Sequence, residues 1–142
     1  MVKKNMKSIA VVFLAAVLAV SCATSPVVIP EDLEPMELIQ RAQEASDRYR
    51  YSVSLQYYET LIHRFPYDID SVIAAEYEIA FINYKQSRYS LARTQFTNLL
   101  ARYDTPDAVL LPPQFRVLSE RILADINDRT DIRRRFFRFG RR

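Results

Sequence analysis

Residues 51–65, YSVSLQYYETLIHRF, and residues 89–103, YSLARTQFTNLLARY, decide the fold, because the second stretch repeats the first 38 residues later. The shared positions are aromatic, small and aliphatic at helical spacing. In order, Tyr51, Ser54, Tyr58, Leu61, Ile62 and Phe65 correspond to Tyr89, Ala92, Phe96, Leu99, Leu100 and Tyr103. A small residue lets a partner helix approach, and the large ones fill the gaps around it. The pattern therefore predicts two copies of one helical unit.

Three further apolar stripes at 3.6-residue spacing give five predicted helices of roughly 12 to 16 residues each. The first begins at about Pro35 and the fifth at Pro112-Pro113. The third, over about 71–86, is apolar nearly all round, so we expect it at the centre of the domain. No glycine precedes Gly140, which argues against tight β-hairpin turns. The sequence thus predicts an all-α stack of antiparallel helix hairpins over residues 35–127.

The N-terminal sequence predicts that the protein is exported. Three lysines precede an unbroken apolar run from Ile9 to Val20, which is shorter than the roughly 20 residues that a membrane-spanning helix needs. Such a run after a basic segment is typical of a cleavable signal peptide, here residues 1–21. The pI of the precursor owes much to those lysines, since residues 22–142 carry 17 basic and 17 acidic side chains.

The segment Leu18-Ala19-Val20-Ser21-Cys22 resembles a bacterial lipobox. The resemblance implies that Cys22 receives lipid, palmitate among its acyl chains, and becomes the mature N-terminus. Residues 22–34, which include Pro26 and Pro30, are interpreted as a lipidated tether that does not pack. The alternative is an ordinary secretory signal that contains a cysteine.

The helical motif resembles the tetratricopeptide repeat (TPR), and its combination with a lipobox resembles the outer-membrane assembly lipoproteins of the BamD type. Tyr89-Ser90-Leu91-Ala92 through Phe96 to Tyr103 matches their second-helix pattern, and Ala74 to Ala80 matches the first. The resemblance covers residues 18–104 and implies a right-handed solenoid fragment. It also implies a lipid anchor in the outer membrane, facing the periplasm, and a protein partner such as the β-barrel assembly machinery.

A repeat of this type has a concave groove lined by its first helices. The third predicted helix has four residues at groove positions: Tyr77, Phe81, Tyr84 and Lys85. Three aromatic rings beside a cation suit a peptide segment of a partner. The alternative is that the rings belong to the core, because an aromatic stripe at helical spacing is usually buried.

The C-terminal tail, residues 128–142, alternates arginine with phenylalanine. We predict that Arg133, Arg134, Arg135 and Arg138 bind an anionic surface. We predict no nucleic-acid partner, because the N-terminal sequence predicts export. The alternative is a solvated, frayed terminus.

Catalysis has little support in the sequence. His63 is the only histidine and is interpreted as a surface residue. With one histidine and one cysteine, and no phosphate-binding loop, we predict neither a metal site nor a cofactor, and no enzyme. Two function classes remain: a lipid-anchored scaffold for an envelope protein partner, or a binder of anionic lipid, lipopolysaccharide or cell-wall polymer through the tail.

Overall fold

The computed structural model describes the backbone of residues 27–139 and the side chains of residues 27–132. This part of the chain contains five α-helices, one short 3₁₀ turn and no strand. The helices are α1 (Pro35–Asp47), α2 (Tyr51–Arg64), α3 (Ile69–Lys85), α4 (Tyr89–Arg102) and α5 (Pro113–Phe139), and the 3₁₀ turn is Pro106–Leu110. The prediction of an all-α helical stack is confirmed. The predicted signal peptide, Cys22 and residues 140–142 lie outside the described residues.

Helix α3 is the centre of the stack, as its apolar sequence predicts. It contacts each of the other four helices, whereas α1 and α5 lie on opposite sides of it. One core cluster, which includes Leu38 and Tyr58, joins α3 to α1 and α2. A second cluster, which includes Phe96 and Ile126, joins α3 to α4 and α5. Because both clusters include α3, this helix joins the core of the first hairpin to that of the second.

The backbone repeats as the sequence does. Tyr49 and Ser87, 38 positions apart, both have left-handed backbone angles, with φ of 57° and 61°. The next residues, Arg50 and Arg88, donate their N–H groups to the carbonyls five positions earlier, at 2.8 and 2.9 Å. The α1–α2 turn and the α3–α4 turn are therefore the same structure, used twice.

Helix α5 is longer than the sequence interpretation allowed. It has 27 residues rather than 12 to 16, and it continues through the proposed boundary between residues 127 and 128. No glycine or proline occurs between Pro113 and Gly140, so nothing in the sequence stops the helix at 127. Ion pairs at i,i+4 spacing, Arg116 with Glu120 and Asp125 with Arg129, support its exposed face.

Residues 27–34, here called the N-terminal strap, pack against the helices, so the expectation of an unpacked tether fails for them. Leu33 is 5% exposed and belongs to the cluster between α1, α2 and α3. Arg64 of α2 donates a hydrogen bond to the carbonyl of Pro30 at 2.6 Å. The strap closes the side of the first hairpin, and the folded part of the chain begins before α1.

Candidate functional site

A groove runs along α3 between α1 and α5, and we call it the α3 groove. At the N-terminal ends of these helices it forms a cleft of about 500 Å³. The cleft is lined mainly by apolar side chains from all three helices and from the α4–α5 link, among them Met36, Ile39, Ala74, Leu110, Pro112 and Phe115. Met36 and Leu110 are 71% and 70% exposed, so this wall is open to a partner.

The predicted aromatic row continues the floor of the groove toward the C-terminal end of α3. The rings of Tyr77 and Phe81 stack with centroids 5.8 Å apart, and those of Phe81 and Tyr84 stack at the same distance. Phe115 joins the row to the apolar cleft, because its ring lies 5.3 Å from that of Tyr77. The structure therefore brings the predicted aromatic residues together in one line.

Tyr77 itself belongs to the core. It is 7% exposed, and its ring also packs against Phe96 of α4 at 5.7 Å. Burial raises the pKa of its hydroxyl group. The core interpretation thus applies to Tyr77, whereas Phe81 and Tyr84 are half-buried and Lys85 is exposed.

Lys85 is held at the end of the row where the turns between helices lie. Its Nζ lies 5.2 Å from the ring centroid of Phe81 and 5.3 Å from that of Tyr51. It also donates a hydrogen bond to Oγ of Ser46 at 2.8 Å. Cation–π contacts with two rings favour a fixed ammonium group. The groove therefore has an apolar cleft at one end and a positioned positive charge at the other.

Helix α5 ties itself to the row through a carboxylate that the sequence interpretation did not include. The hydroxyl of Tyr84 donates to Oδ2 of Asp125 at 2.6 Å, and Arg129 donates to the same oxygen. Both hydrogen bonds lower the pKa of Asp125, and the one from Arg129 has the larger effect. The hydrogen bond to Asp125 is also the main cause of a raised pKa for Tyr84. At neutral pH the pair therefore consists of an ionised carboxylate and a neutral phenol.

The aromatic row is a property of the second repeat alone. Thirty-eight residues earlier, the positions of Tyr77, Phe81, Tyr84 and Lys85 are occupied by Ile39, Gln43, Ser46 and Asp47. The first hairpin forms the same turn and the same helix pair without these rings. The repeat fold therefore does not need the row.

Sequence reasoning missed the apolar cleft, because its residues come from three distant segments. The available signal was weak: Met36 and Leu110 are apolar residues at a helix start and in a link, where a polar residue would be expected. Of the other predicted sites, Cys22 lies outside the described residues. Arg133, Arg134, Arg135 and Arg138 lie on the helical backbone of α5, and their side chains are not among those described.

His63 is exposed on α2, as predicted. Residues 27–132 contain no group of three histidine, cysteine or acidic side chains placed to hold a metal ion. No helix within 27–139 combines the length and the apolar character that crossing a membrane requires.

Comparisons with known proteins identify a relative of this chain. An uncharacterized protein of Treponema pallidum (strain Nichols) is 34% identical over 101 residues, which are 70% of this chain and 40% of that protein. The chain thus matches less than half of the length of that relative. No protein-family model matches the chain, and neither does any solved structure. The resemblance to assembly lipoproteins therefore stays a proposal.

Proposed function

We propose that this chain is a lipid-anchored, TPR-like scaffold that mediates protein–protein interaction in the bacterial envelope. The observation that supports the proposal is the α3 groove, which joins an open apolar cleft to an aromatic row and a fixed cation. The process that the lipoprotein resemblance suggests is outer-membrane protein assembly, with the β-barrel assembly machinery as partner. The proposal assigns the chain no catalytic role and no cofactor.

The chemistry of the groove specifies what a partner segment offers. Apolar side chains enter the cleft beside Met36 and Leu110, where they remove exposed apolar surface from water. A ring or aliphatic side chain lies on Phe81 and Tyr84, and a carboxylate meets Lys85. A helix or an extended peptide of a second protein fits such a groove. Tyr77 supports the row from beneath and does not touch the partner.

The test is purification of the tagged protein from its own envelope in mild detergent, with and without Met36→Glu. Met36 lies in the first turn of α1 and lines the cleft, so a carboxylate there puts a charge against the apolar segment of the partner. Leu91→Glu is the matched control. Leu91 is 47% exposed in the first turn of α4 and does not line the cleft.

We expect a stoichiometric envelope protein, identified by mass spectrometry, with the unchanged chain and with Leu91→Glu, and its loss with Met36→Glu. Circular dichroism checks that both variants stay helical. Recovery of the same partner with Met36→Glu would contradict the assignment of the groove. Recovery of the lipoprotein alone from every sample would contradict the scaffold proposal.

The anchor needs its own test. Cys22→Ser removes the sulfur that carries the lipid, so we expect the protein to leave the outer-membrane fraction. Unchanged sedimentation with membranes would contradict lipid attachment at Cys22. The proposed location is the outer membrane, with the domain facing the periplasm.

A second function has one observation in its favour. The helix α5 continues through residue 139, so Arg133, Arg134, Arg135 and Arg138 belong to a helix rather than to a frayed end. Basic helices that also contain phenylalanine bind anionic lipid surfaces. If binding of anionic lipid, lipopolysaccharide or cell-wall polymer is the main role, deletion of 133–142 removes it while Met36→Glu has no effect. Unaltered binding at low salt after the deletion would contradict this second function.

A further inference from the structure

The two ends of the helical stack differ in charge. We call the end with the α1–α2 and α3–α4 turns the turn end, and the other the link end. The link end carries eight acidic residues on the strap, on the first turns of α1 and α3 and in the two links: Glu31, Asp32, Glu34, Glu37, Asp68, Asp70, Asp104 and Asp107. The arginines of the same end, Arg64, Arg102 and Arg116, are fewer, so acidic residues remain in excess and an anionic surface repels this end.

The turn end carries exposed arginines in both turns. Arg48 and Arg50 lie in the first turn, and Arg88 occupies in the second turn the position of Arg50 in the first. Within the described part of the chain, none of the three forms an ion pair. Two acidic residues, Glu44 and Asp47, accompany them in the last turn of α1. The two turns lie side by side, because Lys85 at the end of α3 contacts residues on both sides of the first turn.

Helix α5 extends past the turn end. Asp125 is level with Tyr84 near the end of α3, so residues 130–139 begin about 7 Å beyond that level and continue for about another 15 Å. This extension contains Asp131 and, by sequence, the arginines Arg133, Arg134, Arg135 and Arg138. The extension therefore adds positive charge to the same end of the molecule.

The strap limits where a lipid on Cys22 can lie. The N–H of Val27 donates to Oε1 of Gln56 at 2.8 Å, and the carbonyl of Pro30 accepts from Arg64, two turns further along α2. The strap thus runs beside α2 from its N-terminal half to its C-terminal end. Five residue steps separate Val27 from Cys22, and they span at most about 18 Å. The attachment point is therefore tied closely to the half of α2 that begins at the turn end.

We propose that the turn end is a membrane-facing surface, on which Arg48, Arg50 and Arg88 lie against the anionic phospholipid headgroups of the membrane that holds the lipid of Cys22. This inference rests on the lipid anchor of the proposed function. The short connection keeps the bilayer close to α2, and the charge difference orients the domain so that the turn end faces it. The link end, with the apolar cleft of the α3 groove, then points away from the membrane toward soluble partners.

The experiment uses the lipidated full-length mature protein in vesicles of phosphatidylethanolamine and phosphatidylglycerol. Tyr49→Cys and Tyr67→Cys each place one fluorescent label, because the sulfur of Cys22 is acylated. The two positions are matched: Tyr49 is 80% exposed in the α1–α2 turn, and Tyr67 is 93% exposed in the α2–α3 link at the opposite end. Quenching by a lipid-borne quencher at headgroup depth reports which label is nearer the bilayer.

A charge variant and its matched control complete the design. Arg48→Gln, Arg50→Gln and Arg88→Gln together remove three turn-end charges. Arg41→Gln, Arg116→Gln and Arg121→Gln together remove three exposed charges elsewhere on the helices. Each basic residue near an anionic surface adds to the attraction between protein and membrane. The loss of three should therefore weaken the preference for the turn-end orientation by a factor on the order of a hundred.

We expect strong quenching at position 49 and little at position 67. The difference should disappear in the turn-end variant, in phosphatidylcholine vesicles and at high salt, and persist in the control variant. Equal quenching at both positions, stronger quenching at 67, or an equal loss in the control variant would overturn the proposal. Mass spectrometry of the N-terminal peptide separates the two possible failures. A missing acyl mass contradicts the anchor itself, whereas an acylated chain with equal quenching contradicts only the orientation.

Discussion

The two helical hairpins, α1–α2 and α3–α4, share one turn and one 38-residue register but differ in their buried hydroxyl groups. Ser54 and Tyr58 of α2 are buried, and neither hydroxyl oxygen has a hydrogen-bond partner among the described residues. The equivalent residues of α4 are Ala92 and Phe96, which are equally buried and have no hydroxyl group. An unpaired buried polar group costs about 1–3 kcal/mol. The comparison teaches that these two helix positions accept either a buried hydroxyl group or an apolar side chain on the same backbone.

The hairpins also differ in what closes them. The N-terminal strap covers the first hairpin and contributes one buried side chain of its own, Leu33. The second hairpin is closed by α5, from which Ile126 is fully buried and Phe115, Leu118 and Ile122 pack against the same cluster. An extended strap and a 27-residue helix thus perform one task at opposite sides of α3. We expect the first hairpin to open more easily than the second.

The largest effect is expected at the aromatic position of the second hairpin. Phe96→Ala leaves a cavity beside Tyr77 and should lower the free energy of unfolding by about 3–5 kcal/mol, measured by urea denaturation. Tyr58→Ala should cost less, because it also removes a buried hydroxyl that has no partner. Equal losses would show that the two hairpin cores are energetically alike.

Leu33→Ala tests the strap as a cap. The side chain is 5% exposed, so the substitution should lower the free energy of unfolding by about 2–5 kcal/mol. Val117→Ala is the control, because Val117 is 56% exposed on α5 and should change stability by less than about 0.5 kcal/mol. Hydrogen exchange should show that the loss is felt in α1 and α2 before α4. A change as small as that of Val117→Ala would mean that the strap adds nothing to the core.

Tyr58→Phe gives the first hairpin the residue of the second. Burial raises the pKa of the Tyr58 hydroxyl, which has no partner to offset its desolvation. We expect Tyr58→Phe to raise the free energy of unfolding by about 1–3 kcal/mol. The reverse exchange, Phe96→Tyr, should lower it. If Tyr58→Phe is destabilising instead, the hydroxyl is paired with water and the hairpins differ less than their side chains indicate.

The helices were predictable because each has its own stripe of apolar residues at helical spacing. Proline and polar breaks bound the first four, and the apolar character of α3 showed that it is central. The end of α5 was not predictable in this way, since no stop residue lies before Gly140. The strap was missed because Pro26 and Pro30 are typical of a linker. Contacts with distant parts of the chain make it structural: Leu33 is buried in the core, and the backbone of the strap forms hydrogen bonds with Gln56 and Arg64.

The candidate site divides in the same manner. The row of Tyr77, Phe81 and Tyr84 follows from spacing within one helix, so the sequence predicts it. The apolar cleft cannot be predicted from spacing, because Met36 and Leu110 line the same cleft only after α1 and the α4–α5 link have packed against α3. Tyr77, Phe81 and Tyr84 have equivalent helical spacing, but Tyr77 lies in the core whereas the other two are half-buried. Spacing alone does not predict this difference in burial.

The smallest expected effect concerns Glu78 of α3, whose equivalent in α1 is Gln40. Burial raises the pKa of Glu78 above its ordinary 4.5; Asp47 adds to this, and Lys85 acts in the opposite direction. The folded chain therefore holds this proton more tightly than the unfolded chain. Stability that is present below pH 4.5 is lost as the pH rises through the raised pKa.

Glu78→Gln gives the second repeat the residue that the first has at this position. It also removes the loss of stability that accompanies the ionisation of Glu78. At pH 7 we expect it to raise the free energy of unfolding by less than about 1 kcal/mol, and the gain should vanish below the ordinary pKa of a glutamate. Glu59→Gln is the control, because Glu59 is exposed on α2 and the loss of its charge should change stability little at either pH. A loss of stability at pH 7 in Glu78→Gln would show that attraction to Lys85 outweighs burial. In that case Lys85 is held by a charge as well as by its two rings, and a partner carboxylate would have to compete with Glu78 for it.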